Sequence, residues 1–269
     1  MIALGSVIGV DIGCSPKRRS SAICRLSWTE TTVSWSIDRF RAMEPERERT
    51  IAESVGGGEI LAAAFDGSLR RGLDIIGHYR SAERLLTRRL GPLIGKPGQS
   101  STPIGKLLNH HANVCVGHVL VHGALSDAGH ATPIHPKAVA EAFPSSFLGL
   151  MIADPAALAA SRSDRSDVFF RHLTAVGTIQ ALLAHCLPGR RLEADPEKIV
   201  NHDDRAAFVC ALTALCLVAG DYVAVGDVED GWIILPPQRF IQPAQGHLLG
   251  INAAEDVVGA LHVPDSNQI

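Results

Sequence analysis

Four acidic positions in this 269-residue chain sit where a carboxylate is costly to keep. Asp11 interrupts Val7-Ile8-Gly9-Val10-Asp11-Ile12-Gly13, an apolar and partly β-branched run of the kind that forms a buried strand. Asp66 ends Ala62-Ala63-Ala64-Phe65, Glu141 lies within Ala138-Val139-Ala140-Glu141-Ala142-Phe143, and Asp203-Asp204 open the apolar stretch that starts at Ala206. Carboxylates gathered from separate elements are the oxygen ligands that Mg2+ or Mn2+ takes, and such ions neutralise charge that burial would otherwise penalise. Two of them held about 3.5–4 Å apart serve phosphoryl transfer by activating water and stabilising the leaving oxygen. The expectation is a two-metal centre in which Asp11 bridges both ions, Asp66 and Glu141 hold one each, and Asp203, with Asp204, holds the ion that activates water. His202, next to Asp203, would orient it or assist proton transfer.

Each position also has a purely structural use. Asp66-Gly67 suits a turn at a strand end, Asn201 to Asp204 suits a helix cap whose carboxylates complement the dipole, and Glu141 suits pairing with an arginine.

The elements that must position these residues follow from pattern. Residues 7–12, 21–26 and 32–40 read as three strands, antiparallel because their connectors are too short for crossover helices. Residues 45–55 suit a helix, 60–65 a central strand, and 138–143 another strand stopped by Pro144. Between them, about 70–135, helices at 79–90 and 104–125 around a Gly/Pro/Ser loop read as a helical insertion or lid on the core. Helices are expected near 147–152, over 167–187 and over 204–219, then a β-hairpin from 222–225 and 232–235. Residues 1–242 would form one domain with that insertion, and 243–269 a C-terminal tail without a clear signal.

Composition narrows the classes. A net charge of −3 gives no global footprint for nucleic acid, so such a partner would need a local basic patch such as Lys17-Arg18-Arg19, itself otherwise an ordinary solvated run. The six cysteines show no Cys-x-x-Cys pairing and read as reduced, mostly buried thiols, which points to the cytoplasm. No signal-like leader opens the chain, and the longest apolar stretch, 206–219, is shorter than a membrane span requires.

Several weaker features fail as sites. Around Gly105-Lys106 the glycine that a phosphate loop requires is Ser100, and Leu107 replaces its Ser/Thr. Thr102-Pro103 reads instead as a cap and first helical residue. His118 and His122 have helical i, i+4 spacing, but no Glu or Cys completes a familiar zinc pattern, so an exposed helical face accounts for them.

The order of elements and acids resembles the ribonuclease H-like superfamily. More narrowly, Gly9-Val10-Asp11-Ile12-Gly13, Phe65-Asp66-Gly67, Glu141-Ala142-Phe143-Pro144-Ser145 and His202-Asp203-Asp204-Arg205-Ala206-Ala207 with Ala211-Leu212-Thr213-Ala214 resemble an uncharacterised family of predicted nucleases with a ribonuclease H-like fold. The resemblance covers about residues 7–235 and implies an α/β fold: a mixed sheet of three antiparallel strands then parallel ones, flanked by helices, with the helical insertion and C-terminal β-hairpin described above. It further implies a metal-dependent phosphodiester hydrolase acting on nucleic acid or nucleotide with Mg2+ or Mn2+. The chain departs from the family at Ala206, where a second aspartate is frequent; Asp204 directly follows Asp203, about 100° around a helix. Two other readings compete. Val10-Asp11-Ile12-Gly13 and Phe65-Asp66-Gly67 also resemble the phosphate-binding turns of actin-like ATPases and sugar kinases, and the loss at Ala206 suits a non-catalytic binding module on the same fold.

Overall fold

The apolar run around Asp11 forms the strand on which the sheet is built. The structure, a computed structural model, describes residues 4–129, 132–158 and 165–264. Strand β1 (Gly5–Asp11) pairs antiparallel with β2 (Ser21–Trp28), which pairs antiparallel with β3 (Thr32–Phe40). Helix α1 (Glu46–Val55) and strand β4 (Glu59–Ile60) lead to β5 (Ala62–Asp66), which lies parallel to β1 on its other side. Helices α2 (Ser81–Thr87), α3 (Gly91–Ile94) and α4 (Pro103–His122) come next, then β6 (Ala124–Leu125), which pairs with β4. Strand β7 (Val139–Ala142) runs parallel to β5. Helices α5 (Pro144–Gly149), α6 (Pro155–Leu158), α7 (Arg165–Ala175) and α8 (Thr178–Cys186) precede the short β8 (Arg191–Leu192) and the long α9 (His202–Ala219). The hairpin β9 (Val223–Asp227) and β10 (Gly231–Leu235), helix α10 (Pro243–Ala254) and edge strand β11 (Ala260–His262) complete the described chain. The main sheet is mixed, in the order β11-β9-β10-β7-β5-β1-β2-β3-β8, and helices flank it.

Strand alternation sorts the sheet into two faces. Val7, Ala62, Ala64, Ala140 and Ala142 face α9 and belong to its core, together with Phe147, Phe169 and Leu182 from the helices outside it. Ile8, Val10, Ala63, Phe65 and Val139 face the other way and pack with Ile51 and Val55 of α1 and Ala112, Val116 and Val119 of α4. The alanines on the first face let α9 lie close to the sheet, and Gly9 marks the tightest point. A Cβ on Gly9 would stand 2.0 Å from Ala211 N and 2.2 Å from Ala207 O, backbone atoms that cannot swing aside. Gly9→Ala is therefore expected to cost about 3 kcal/mol or more, read as a lower urea midpoint with an unchanged slope. A midpoint unchanged from wild type would refute this close approach.

The structure departs from the pattern-based expectations, or adds to them, at several places. The expected strand 60–65 divides at Leu61, whose N–H donates to Ser6 O at 2.9 Å, so that β4 pairs with β6 and β5 with β1. The expected helix 167–187 breaks at Gly177, whose φ of 79° places it in the left-handed region that glycine reaches without strain. The segment around 70–135 is not a lid: α4 covers the sheet face opposite α9 and places Ala112, Cys115, Val116 and Val119 in that core. The tail beyond 242 is ordered into α10, with Pro243 in its first turn, and β11; positions 265–269 lie outside the described residues. Cys24, Cys115, Cys210 and Cys216 are buried and all six cysteines are free. No described helix is long and apolar enough to cross a membrane.

Candidate metal centre

Three elements bring acids together at one end of the α9 face. Strands β1 and β5 pair with Asp11 opposite Asp66, each the last residue of its strand. Asp11 has the same alternation parity as Val7 and Gly9, and Asp66 the same as Ala62 and Ala64, so both carboxylates point to the α9 side. The first turn of α9 begins beside them. Asn201 caps that helix, its Oδ1 accepting from Asp203 N at 2.9 Å and Asp204 N at 3.4 Å. With the cap supplied by Asn201, the carboxylates of Asp203 and Asp204 are free of capping duty.

The electrostatics of the cluster are those of like charges crowded over an apolar floor. Burial raises the Asp11 carboxyl well above the usual carboxylate range, and repulsion from Asp66, Asp203 and Asp204 raises it further. Burial likewise lifts Asp66 to about 7, with Glu141 adding to the rise and His202 opposing it. Asp203 and Asp204 are raised by burial; His202 pulls Asp203 back down, and Arg39 does so for Asp204. The floor beneath carries the buried thiols of Cys24 and Cys210, both pushed upward by burial and then by these carboxylates. Among the described residues neither Asp11 nor Asp66 forms an ion pair with a cationic side chain. Asp204 Oδ1 is buried and accepts no hydrogen bond, the Arg39 guanidinium standing 3.4 Å away without the geometry for one. Asp11 is influenced by both helix carboxylates, so Asp204 lies within the cluster although Ala206 carries no third one.

Glu141 does not join them, which corrects its expected role as a metal ligand. Strand β7 pairs with β5 so that Glu141 is opposite Phe65 and Ala142 opposite Asp66. Glu141 therefore projects from the face that carries Phe65 and Val139, away from Asp11 and Asp66. There Arg80 clasps it in a two-pronged contact, Nη1 to Oε2 at 2.8 Å and Nη2 to Oε1 at 2.7 Å, while Leu69 N donates to Oε2 at 3.1 Å. Arg80 also donates to Glu83 Oε1 at 3.0 Å, and Glu83 accepts from Ser100 N at 2.9 Å. Burial alone would lower Arg80 and raise Glu141; the carboxylates, Glu141 before Glu83, outweigh it at Arg80 and hold the guanidinium charged. His202 is also placed differently from expectation. Its side chain is 53% exposed and its Nδ1 lies 3.2 Å from Asp167 Oδ1. That leaves it near the cluster, influencing Asp66 and Asp203 through space.

A second set of ligand-type side chains emerges around His118 and His122, which the spacing alone assigned to an exposed helical face. Glu48 of α1 stands beside His118 and His122 of α4, with one ligand atom from each within 4.8 Å of the others. A trace of it exists in the sequence, since Glu44 and Glu48 repeat the four-residue spacing of His118 and His122. Only the packing of α1 on α4 makes that match visible. No family model, curated protein or solved structure matches the chain.

Proposed function

We propose that the chain is a divalent-metal-dependent phosphodiester hydrolase, a nuclease, on a ribonuclease H-like arrangement of strands. The observation that carries this reading is the pairing of Asp11 with Asp66 at the ends of adjacent parallel strands, on the α9 face, with no ion pair to a cationic side chain for either among the described residues. The strand order β3-β2-β1-β5-β7, antiparallel up to β1 and parallel beyond it, supports the fold assignment. The donor set fits Mg2+ or Mn2+: hard carboxylate oxygens from two strand ends and a helix start, one of them buried without a hydrogen bond. Bound there, such ions would make water acidic enough to attack at neutral pH and would neutralise charge on the leaving oxygen.

In this reading Asp11 and Asp66 hold the ions from the sheet, and Asp203 and Asp204 hold them from α9. Glu141 is left out. Arg18 and Arg39, exposed beside the helix carboxylates, would draw the phosphates of a nucleic acid or nucleotide toward the cluster.

Calorimetric titration of the full chain with Mn2+, beside Asp66→Asn, tests the site before any substrate is known. Heat of binding in the wild type and its loss in the variant is the expected pair of results. No binding at millimolar Mn2+ would favour a non-catalytic module on the same fold. Thermal stabilisation by ATP, with none from Mn2+, would favour the nucleotide-binding alternative.

A further inference from the structure

On the sheet face opposite Asp11 and Asp66, α1 and α4 pack together and present two imidazoles to two carboxylates. His122 Nε2 lies 3.1 Å from Glu48 Oε1, and His118 Nε2 lies 3.0 Å from Glu44 Oε1. The two rings stack at 6.3 Å with their planes 23° apart, the arrangement of histidines one turn apart on a single helix face. Glu44 is already engaged, taking Arg47 Nε at 2.6 Å on the same oxygen and Glu48 N at 3.1 Å on the other. Glu48 is not held in that way: its carboxylate is 48% exposed and has His122 as its side-chain partner.

We propose that Glu48, His118 and His122 form a second metal site, selective for Zn2+ or a similar borderline ion, that ties α1 to α4. Two nitrogens and one carboxylate oxygen are a zinc-type set, whereas the cluster at Asp11 offers oxygen alone. The geometry is close to what the ion needs. Ligands at about 2.0–2.1 Å around a tetrahedral ion stand about 3.3 Å from one another. Bringing together atoms that already lie within 4.8 Å takes small rotations of side chains with solvent on one side. His118 and His122 are 19% and 29% exposed, so an ion has an entry path and a fourth position open to water. Glu44, fixed by Arg47 and the Glu48 backbone, holds His118 at Nε2, so His118 would offer the ion its Nδ1. The site joins a helix of ten residues to the last turns of one of twenty, and closing it reinforces the core that both helices place on the sheet.

The test uses the chelator-treated full chain titrated with ZnCl2, followed by calorimetry and thermal melting, with Co2+ as an optical probe. One equivalent of Zn2+ is expected to bind and raise Tm, and Co2+ to show the visible bands of four-coordinate cobalt. His122→Gln, His118→Gln and Glu48→Gln are each expected to weaken Zn2+ binding roughly tenfold or more and to remove the cobalt bands. All three side chains are partly exposed, and circular dichroism verifies that the variants fold. Asp11→Asn is expected to keep the cobalt bands and the Zn2+ binding that His118→Gln and His122→Gln remove, which separates this site from the carboxylate centre. The proposal is overturned if Zn2+ binding survives His118→Gln and His122→Gln at full strength, or if the wild type shows neither binding nor a shift in Tm at tenfold excess.

Discussion

Asp11→Asn is expected to abolish Mg2+- or Mn2+-dependent cleavage while making the metal-free protein more stable at pH 8. Both effects come from one charge. A carboxylate holding the proposed ions would contribute several kcal/mol to a charged transition state, so its loss should lower cleavage by about a thousandfold or more. Without metal the same carboxylate is a liability, because burial and its acidic neighbours oppose its ionisation. The sign follows from proton binding. Asp66 titrates at about 7 in the fold and Asp11 well above its usual range, against about 4 for an aspartate in the unfolded chain. Between those values the folded state holds the extra protons, so the stability of the metal-free protein falls as pH rises from about 4 to about 7. Asp11→Asn removes a buried carboxyl that the fold keeps from ionising, a gain of about 2 kcal/mol at pH 8 once the partial solvent access of the side chain is allowed for. Thermal melts with and without Mn2+ check it: the wild type gains from the ion, the variant does not, and the two exchange rank. Cleavage by the variant at the wild-type rate would retire the carboxylate centre as the site of chemistry.

Arg80→Met should cost about 3–5 kcal/mol and lower Tm by roughly 10 °C, the largest loss expected from any charged residue. Arg80 is 1% exposed and faces Glu141 and Glu83, which are equally buried, so removing it strands two carboxylates in the interior. Asp230 O, a further acceptor at 3.3 Å, would also lose its donor. Glu141→Gln should be milder, since the amide oxygen still accepts from Arg80 and Leu69. The pair of variants also separates structure from chemistry. Glu141→Gln is expected to lower Tm and to keep Mn2+ binding, with Asp66 ionising more readily once its acidic neighbour is neutral. The reverse, an unchanged Tm with Mn2+ binding lost, would return Glu141 to the metal set.

Much of the architecture was legible because local chemistry determined it. The strand at Asp11, the short links that force β1, β2 and β3 to pair antiparallel, the cap at Thr102 and the hairpin after Tyr222 all follow from residues close together in the chain. The misread elements have non-local causes. Leu61 separates β4 from β5 because Ser6 offers it an acceptor, and α4 is a core helix because its apolar face meets Phe65 and Ile51. The break at Gly177 was different, since a lone glycine in an apolar helical pattern is tolerated at a cost of about 1 kcal/mol, and only its φ shows that the helix ends there.

The candidate site divides in the same way. Sequence alone determined that Asp11, Asp66, Glu141 and Asp203-Asp204 lie in apolar surroundings and that each needs compensation, since the cost of burying charge depends only on what surrounds it. The tertiary structure decided how each is compensated. Successive residues on a strand face opposite ways, so the side on which Glu141 emerges depends on the register of β7 against β5. A slip of one residue would have placed it over Asp66; the observed register hands it to Arg80, 61 positions away. Register is a property of two strands distant in the chain, and no single stretch contains it.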